Sequence, residues 1–216
     1  HSESNSFVGI TLFSPKYEEK ASRLVRSCER VGICCQGTML PSNAFGPNAP
    51  EGSEAFRFET ISMKPSFILS KLESTKLPVV FLDTDLEFHR FPDLFVNGSW
   101  PQYPRDVLLF NYWANETRPE TKNTPNCGSA VAFFNTTEPS KALLKAWAQA
   151  MAYEGNARAP DDQVLDLLLS KGEWLRRASF GWLPAAYLRT MPSFYRGVVP
   201  VIDHDHGSAP GLMNHS

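Results

Sequence analysis

Runs of apolar residues alternate along the chain with segments that repeat apolar residues at helical spacing. Residues 7–13 (FVGITLF) are typical of a buried strand. Residues 16–31 carry small or apolar side chains at a helical period and end before Gly32, a residue that commonly terminates helices. Residues 33–36 predict a second strand. A strand, a helix and a strand in succession predict a βαβ unit with parallel strands and a right-handed crossover.

The same alternation continues to the end of the chain. Residues 40–52 are rich in Pro, Gly, Asn and Ser and predict a loop, and residues 61–74 predict a helix with Pro65 in its first turn. Further strands are expected at 79–82, 107–113, 129–134 and 198–202, and further helices from 92, at 138–153 after Thr137 as N-cap, and at 160–170. The polar segment 114–126 suits a mobile loop over a site. We expect one α/β domain spanning 1–216, with tails at 1–6 and 209–216.

Composition narrows the possible functions. The 216 residues are 42% hydrophobic and 20% charged, which is ordinary for a globular protein. A formal net charge of -2 without a basic cluster argues against nucleic acid as the main partner. The apolar runs are shorter than a membrane span requires. The function must therefore be sought in particular motifs.

The cysteines and the sequons point to different compartments. Four cysteines are present, Cys28, Cys34, Cys35 and Cys127. Because Cys34 and Cys35 would face opposite sides of a strand, they suit neither a metal site nor a disulfide, and we expect thiols in the cytoplasm. Four Asn-X-Ser/Thr sequons are also present, at Asn97, Asn115, Asn135 and Asn214. They weakly indicate the alternative, a truncated ectodomain in the Golgi lumen.

The segment 79–87 (VVFLDTDLE) carries the clearest chemical signal. Its four apolar residues predict a buried strand, which ends in Asp83 and Asp85. Ligands of open α/β sheets bind at the carboxyl ends of strands. Two carboxylates at i and i+2 offer the hard oxygen ligands that a divalent cation on a diphosphate needs. The alternative is a solvated strand end followed by a turn.

A second cluster, Asp203-His204-Asp205-His206-Gly207, follows the last predicted strand. His204 and His206 share one face of an extended chain, so both imidazoles can point at one site. Carboxylates with an imidazole suit Mn²⁺ or Mg²⁺ better than zinc. An ordinary surface or core histidine is the alternative for each.

Three further candidate site motifs lie near the predicted starts of helices or strands. Asp161-Asp162-Gln163 begins a predicted helix, where acidic residues can also serve only as N-caps. Asn126 and Gly128 lead into a strand, and an ordinary turn would explain them too. Lys64 lies near a predicted helix start, where it opposes the helix dipole unless an anionic ligand binds there. A solvated lysine is its alternative.

In chain order these motifs resemble those of GT-A glycosyltransferases: a strand ending in Asp-X-Asp, an Asn-X-Gly strand start, an Asp-Gln helix start and a late strand with histidine. The spacing is similar to that of the retaining, nucleotide-sugar-dependent group related to glycogenin and bacterial galactosyltransferases. Residues 7–208 also look like compact chlorella-virus glycosyltransferase domains that act on a major capsid protein. The resemblance implies a GT-A (Rossmann-like) fold with a mixed, mostly parallel sheet flanked by helices.

The resemblance implies a metal-dependent hexosyltransferase that moves a sugar from a nucleotide diphosphate donor, above all a UDP-sugar, to a glycan or glycoprotein. Its cofactor would be Mn²⁺ or Mg²⁺. A viral member would act in the host cytoplasm, with a capsid-protein glycan as one acceptor.

The resemblance also assigns roles to residues. Asp85 resembles the family's metal-ligating aspartate, and Asp83 the one that reaches the ribose and, in some relatives, the metal. His206, followed by glycine, resembles the late metal-binding histidine, with His204 as its competitor. The catalytic pair beneath the transferring sugar would be Asp162 and Gln163. The donor-binding residues would be Thr11, Leu12 and Phe13 at the base, Lys64 near the diphosphate or base, Thr84 within Asp-X-Asp, and Asn126 and Gly128 at the sugar.

One departure from the family stands at residues 207–210. Relatives often continue after the histidine with Gly-X-X-Lys-Pro-Trp, whose lysine contacts phosphate, whereas this chain has Gly-Ser-Ala-Pro. Stabilisation of the leaving group would then come mostly from the metal and from Lys64.

Two other functions fit parts of the pattern. A haloacid dehalogenase-type phosphatase also uses Asp-X-Asp, but on an early strand, whereas here the motif follows a complete βαβ unit. A non-catalytic nucleotide-sugar-binding domain would keep the motifs without turnover.

Overall fold

The structure is a computed structural model that describes residues 6–96, 105–113, 125–156, 158–189 and 197–204. The strands are β1 (Val8–Phe13), β2 (Cys35–Met39), β3 (Val79–Leu82), β4 (Leu86–Phe88), β5 (Val107–Asn111), β6 (Cys127–Phe134), β7 (Phe180–Leu183) and β8 (Ile202–His204). The helices are α1 (Glu18–Arg30), α2 (Glu54–Thr75), α3 (Glu138–Met151), α4 (Asp161–Ser170) and α5 (Trp174–Arg177). Of the sequence predictions, most of loop 114–126, the residue His206 and the sequons at Asn97, Asn115 and Asn214 lie outside the described residues.

Six strands form the central sheet, in the order β2-β1-β3-β6-β5-β7. The pairings β1–β2, β1–β3 and β5–β7 are parallel, and only β6 runs antiparallel to its neighbours β3 and β5. A second, two-stranded antiparallel sheet joins β4 to β8. The predicted α/β fold, with a mixed, mostly parallel sheet in a single domain, is confirmed.

Helices and loops cover both faces of the central sheet, which explains the continuous apolar runs of its strands. All four residues of β3 are buried. On one face, Phe81, Leu109 and Phe134 belong to a core cluster with residues of α2, α3 and α4. On the other face, Val80, Leu82 and Leu108 belong to a cluster with α1, β4 and β8. None of the helices in the described ranges is both long and apolar enough to cross a membrane.

The first βαβ unit forms as predicted, but its cysteines do not remain thiols. Gly32 adopts φ 81° after α1, a left-handed conformation that lets the chain turn back into β2. The turn brings Cys35 next to Cys28, with their Cα atoms 6.0 Å apart, and the two residues form a disulfide. The expectation of four thiols is therefore wrong for this pair. It considered the adjacent Cys34 and Cys35 rather than pairing across the turn; Cys34 and Cys127 are free.

Helix α2 begins earlier than predicted. Ser53 is its N-cap, since its hydroxyl accepts a hydrogen bond from the Phe56 amide at 3.1 Å. Glu54 opens the first turn, so Pro65 lies inside the helix instead of in its first turn, and that prediction is wrong. Lys64 is consequently a mid-helix residue rather than one near the positive end of the dipole. The Gly-Ser-Glu sequence that starts the helix directly follows a turn-rich loop, which hides the helix start from sequence reasoning.

Several short elements differ from the sequence prediction. The last strand covers Ile202–His204 instead of 198–202, because it pairs with β4, which the sequence did not predict. The strand β7 and the helix α5 were also missed. The helix expected after Thr137 is confirmed, although the Thr137 hydroxyl donates to Asp106 Oδ1 at 2.6 Å instead of capping the helix.

Candidate functional site

A cleft opens where β1 and β3 end and β6 begins, between the start of α4 and one side of α2. It has two lobes. The acidic lobe, of about 410 Å³, reaches from α2 to the carboxylates at the end of β3 and the start of α4. The apolar lobe, of about 420 Å³, lies between the end of β1 and the start of α2. The two lobes share the residues of the neck, which are Leu12, Tyr17, Arg57, Thr60, Ile61 and Thr84.

The turn after β3 brings two carboxylates into the acidic lobe. Asp83 donates its amide hydrogen to the Ala130 carbonyl of β6 at 2.9 Å, and its own carbonyl accepts from the Leu86 amide at 3.3 Å. These bonds fix the turn, so that Asp83 and Asp85 both line the lobe. Burial raises the pKa of Asp83, and the carboxylates of Asp161 and Asp85 add to this, whereas Lys64 opposes it.

The start of α4 supplies two more carboxylates, Asp161 and Asp162. The Trp147 indole of α3 donates to the Asp161 carbonyl at 3.1 Å, which anchors this helix start. Asp162 accepts the Gln163 amide at 2.8 Å. Burial raises the pKa of Asp162, and the neighbouring Asp161 carboxylate raises it further.

Lys64 reaches from the middle of α2 into the floor of the acidic lobe, where its side chain is 6% exposed. Its ammonium lies 2.7 Å from Asp161 Oδ2 and 3.5 Å from Asp83 Oδ1, and it donates to Ser129 Oγ at 3.1 Å. It also stands 4.7 Å from the centroid of the Phe81 ring. Burial alone would lower the pKa of Lys64, but the carboxylates of Asp161 and Asp83 outweigh burial and hold the pKa above its usual value.

These contacts tie Lys64 to the protein itself, and its expected contact with a diphosphate stays a prediction. The ammonium donates a hydrogen bond to the Ser129 hydroxyl and forms ion pairs with the carboxylates of Asp161 and Asp83. The residue neutralises the floor of the lobe and joins α2, β6 and α4 beneath it.

The side chains beside Asp85 fit a hard divalent cation in their chemistry. His204 stands opposite Leu86 in the β4–β8 pair, and its Nε2 lies 3.5 Å from Asp85 Oδ1. A carboxylate and an imidazole this close are two of the ligand types that a Mn²⁺ or Mg²⁺ site uses. Within the described ranges, no group of three metal-ligating side chains comes together. His206, the predicted third ligand, lies outside these ranges, and the roles of His204 and His206 as metal ligands stay predictions.

The acidic lobe has an excess of negative charge. Among its described lining residues, four carboxylates face two cationic side chains, Lys64 and Arg57. The excess of two negative charges would repel a diphosphate unless a cation entered with it.

The predicted base-binding residues are only partly in the cleft. Leu12 and Phe13 line the apolar lobe, and Thr84 lies in the neck. Thr11 is 1% exposed and lines neither lobe, because alternation along β1 turns its side chain away from the side that carries Leu12.

Of the two predicted sugar-binding residues only one lines the cleft, and the same is true of the two predicted catalytic residues. Gly128 lines the acidic lobe, and a Cβ atom there would meet the Tyr112 ring at 3.2 Å. Asn126 stays beside β5, where its amide donates to Asn111 Oδ1 at 3.3 Å, and lines neither lobe. Asp162 lines the acidic lobe, whereas Gln163 is exposed outside both lobes.

Sequence reasoning missed the partners that surround Lys64. It treats Asp161 only as part of an acidic helix start, and Ser129 only as the beginning of a strand. The available signal was the acidic doublet at a helix start, together with a lysine in a largely apolar stretch of another helix. For Arg57 and Thr60 in the neck the sequence carried no signal, because it does not place the start of α2, and Tyr17 belonged to no motif that pointed to a site.

Residues 25–204 match the nucleotide-diphospho-sugar transferase family. Among curated proteins none matches. Among solved structures, the chain is similar to the crystal structure of a glycosyltransferase involved in the glycosylation of the major capsid of PBCV-1, with a TM-score of 0.58 and 13% identity over 93% of this chain and 95% of the other. The predicted GT-A resemblance is thereby confirmed at the level of family and fold.

Proposed function

Because the chain belongs to the nucleotide-diphospho-sugar transferase family, we propose that it is a metal-dependent glycosyltransferase with a UDP-sugar as donor and a glycan or glycoprotein as acceptor. The transferred group would be a hexose, and the configuration at its anomeric carbon would be retained. A capsid-protein glycan is one acceptor to test, because the similar solved structure is that of a glycosyltransferase involved in capsid glycosylation.

The observation that carries this proposal is the convergence of four carboxylates on one lobe of the cleft. Two come from the Asp-X-Asp turn after β3 and two from the start of α4, more than seventy residues later. A nucleotide sugar brings a diphosphate into this negative lobe, so binding would require a cation. The metal dependence of the proposal follows from this charge balance.

The residues of the lobe would divide the work of sugar transfer. Asp85 and His204 would hold the cation, with Asp83 or the predicted His206 completing its ligands. The cation, when bound, supplies positive charge against the diphosphate that departs. Asp162 lies in the same lobe, where a carboxylate favours positive charge at the anomeric carbon. The Lys64–Asp161 pair holds α4, and therefore Asp162, against α2.

The position of the Asp-X-Asp motif supports a transferase over the phosphatase alternative. The motif follows β3, which is the third strand of the chain and lies in the centre of the sheet between β1 and β6. The phosphatases place it on the first strand. Together with the family match, this removes the main argument for a phosphatase.

A donor screen tests the proposal. UDP-, GDP- and dTDP-sugars are added with and without Mn²⁺, and the thermal unfolding midpoint is followed. We expect the largest rise with a UDP-sugar and Mn²⁺ together, followed by slow hydrolysis of that donor by water. Stabilisation without any hydrolysis would favour the non-catalytic binding domain. No stabilisation by any donor, with or without metal, would contradict the proposal.

We also propose that the protein acts in an oxidising compartment such as the Golgi lumen, the alternative location considered from the sequons. The Cys28–Cys35 disulfide supports it, because disulfides persist where thiols are not kept reduced. Thiol titration of the unfolded, unreduced protein should count two free thiols. Four free thiols in protein isolated from its native compartment would favour the cytoplasm.

A further inference from the structure

Among the described residues, the neck between the two lobes holds a single charged side chain. Six residues line both lobes, and among them only Arg57 carries a charge. The carboxylates of the Asp-X-Asp turn and of α4 line the acidic lobe alone, and Lys16 and Glu54 line the apolar lobe alone. The guanidinium of Arg57 therefore marks the boundary between the two lobes.

Arg57 differs from the other cations of the cleft in having no protein partner. Within the described residues, its guanidinium makes no hydrogen bond or ion pair, and the residue is exposed. Lys64, by contrast, is buried against two carboxylates and Ser129. Lys16 lies 5.8 Å from the centroid of the Tyr17 ring and lines only the apolar lobe. Only the guanidinium of Arg57 is thus available to a ligand at the boundary.

The shape of a nucleotide sugar matches this arrangement. A nucleoside and a sugar are joined through a diphosphate, so a donor that fills both lobes must place its phosphates at the neck. Two lobes of about 410 and 420 Å³ have the size of ordinary ligand pockets. Thr60 and Thr84 also line the neck, and a guanidinium is the side chain best suited to two neighbouring phosphate oxygens.

We propose that Arg57 binds the diphosphate of the donor and stabilises it as the leaving group, an inference that rests on the proposed function. In the transfer, the bond between the anomeric carbon and the phosphate oxygen breaks, and its electron pair stays on that oxygen. The acceptor hydroxyl oxygen bonds to the anomeric carbon, and its proton passes to the departing diphosphate or to water. Arg57 keeps its protons throughout and balances the charge that accumulates on the phosphate oxygens.

This assignment accounts for the departure from the family at residues 207–210. The lysine that relatives carry after the late histidine is absent there, and the ammonium of Lys64 is committed to Asp161 and Asp83. A cation supplied from the first turn of α2 would take the place of the missing lysine.

The test separates the diphosphate from the nucleoside. Calorimetry measures the binding of UDP and of uridine, with Mn²⁺, to the wild type and to Arg57→Ala, Arg57→Lys and Arg26→Ala. Arg26 is the matched control, an exposed arginine of α1 that lines neither lobe. Losing a hydrogen-bonded charge pair should weaken the binding of UDP to Arg57→Ala by about 10- to 100-fold. Uridine binding should change less than about twofold, Arg57→Lys should retain part of the affinity for UDP, and Arg26→Ala should behave as the wild type.

Three results would overturn the inference. If Arg57→Ala lost no more affinity for UDP than Arg26→Ala, Arg57 would not contact the diphosphate, while the proposed function would stand. Equal losses for UDP and uridine would assign Arg57 to the nucleoside or to the local fold. If the wild type bound neither UDP, GDP nor dTDP, the proposed function itself would fail, and the inference with it.

Discussion

The two lobes of the cleft are built in different ways. The acidic lobe gathers its polar groups from α2, β3, β6 and α4, and the Lys64–Asp161 pair on its floor is almost completely buried. The apolar lobe is formed by two neighbouring segments, the end of β1 and the start of α2, and its cations are exposed. Changes in the acidic lobe should therefore affect stability and chemistry strongly, whereas changes at residues that line only the apolar lobe should affect affinity alone.

The largest effect is expected from breaking the buried ion pair. Replacing Lys64 by methionine leaves Asp161 buried without its cation, so the free energy of unfolding should fall by about 3–5 kcal/mol. Lys16→Met, which removes an exposed lysine of the apolar lobe, should change it by less than about 0.5 kcal/mol. Denaturant titration measures both variants. If both variants lost the same free energy of unfolding, the lysines of the two lobes would not differ in how strongly they stabilise the fold.

The next effect concerns the chemical step. Truncation of Asp162 to alanine should lower donor hydrolysis by about 10²–10³-fold, because a carboxylate that acts mainly on the transition state is lost. Affinity for UDP should change far less. If Asp162 were only a cap of α4, its loss would cost about 1 kcal/mol of stability with near-normal turnover.

The variant Gln163→Ala tests whether both residues of the predicted catalytic pair take part in the reaction. Because the Gln163 side chain is exposed outside both lobes, we expect a much smaller loss of donor hydrolysis than for Asp162→Ala. A loss as large as that of Asp162→Ala would place Gln163 in the reaction after all.

The pH dependence of turnover should reveal the environment of Asp162. Burial and the Asp161 carboxylate raise the pKa of Asp162, and only the ionised carboxylate favours positive charge on the sugar. Turnover should therefore fall about tenfold per pH unit on the acid side, beginning above the usual range of an aspartate. The rate profile of Asp162→Asn should lack this fall. An unchanged acid limb in Asp162→Asn would assign it to another group.

The smallest effect is expected in the apolar lobe. Phe13 lines this lobe at the end of β1, so Phe13→Ala should weaken uridine binding by roughly 0.5–1.5 kcal/mol. The loss should be the same with and without Mn²⁺, and turnover at saturating donor should stay constant. A loss that depended on metal would show that the lobes are not separate in function.

The fold was largely predictable because its central strands are buried on both faces. Apolar runs such as 79–82 can hardly be anything but interior strands, and the βαβ pattern predicted the parallel pairing of β1 with β2. The elements that were missed or misplaced are short: β4 and β8 have three residues each, and β7 and α5 have four. Pairs this short are held by tertiary contacts, for example between Arg189 and Asp203 at 2.6 Å, which no local pattern reveals.

Site residues could be predicted only where they directly end a strand or begin a helix that the sequence identifies. Asp83 and Asp85 end an unmistakable strand, and Asp162 starts a clear helix; all three line the acidic lobe. Lys64 was found, but its contacts with Asp161 and Ser129 could not be predicted, because these partners are 97 and 65 residues away along the chain. Thr11 was included with Leu12, although adjacent residues of a strand face opposite sides.

The central claim is that the acidic lobe holds a divalent cation for the diphosphate of the donor. Its most direct test is calorimetry of UDP binding with Mn²⁺ and with EDTA, on the wild type, Asp85→Ala, Asp83→Ala, His204→Ala and His206→Ala. We expect Mn²⁺ to strengthen binding to the wild type, Asp85→Ala to abolish this gain, and Asp83→Ala to retain part of it. Whichever of His204→Ala and His206→Ala loses the gain in UDP affinity from Mn²⁺ identifies the histidine that ligates the metal. Equal affinity of the wild type for UDP with and without metal would contradict the claim.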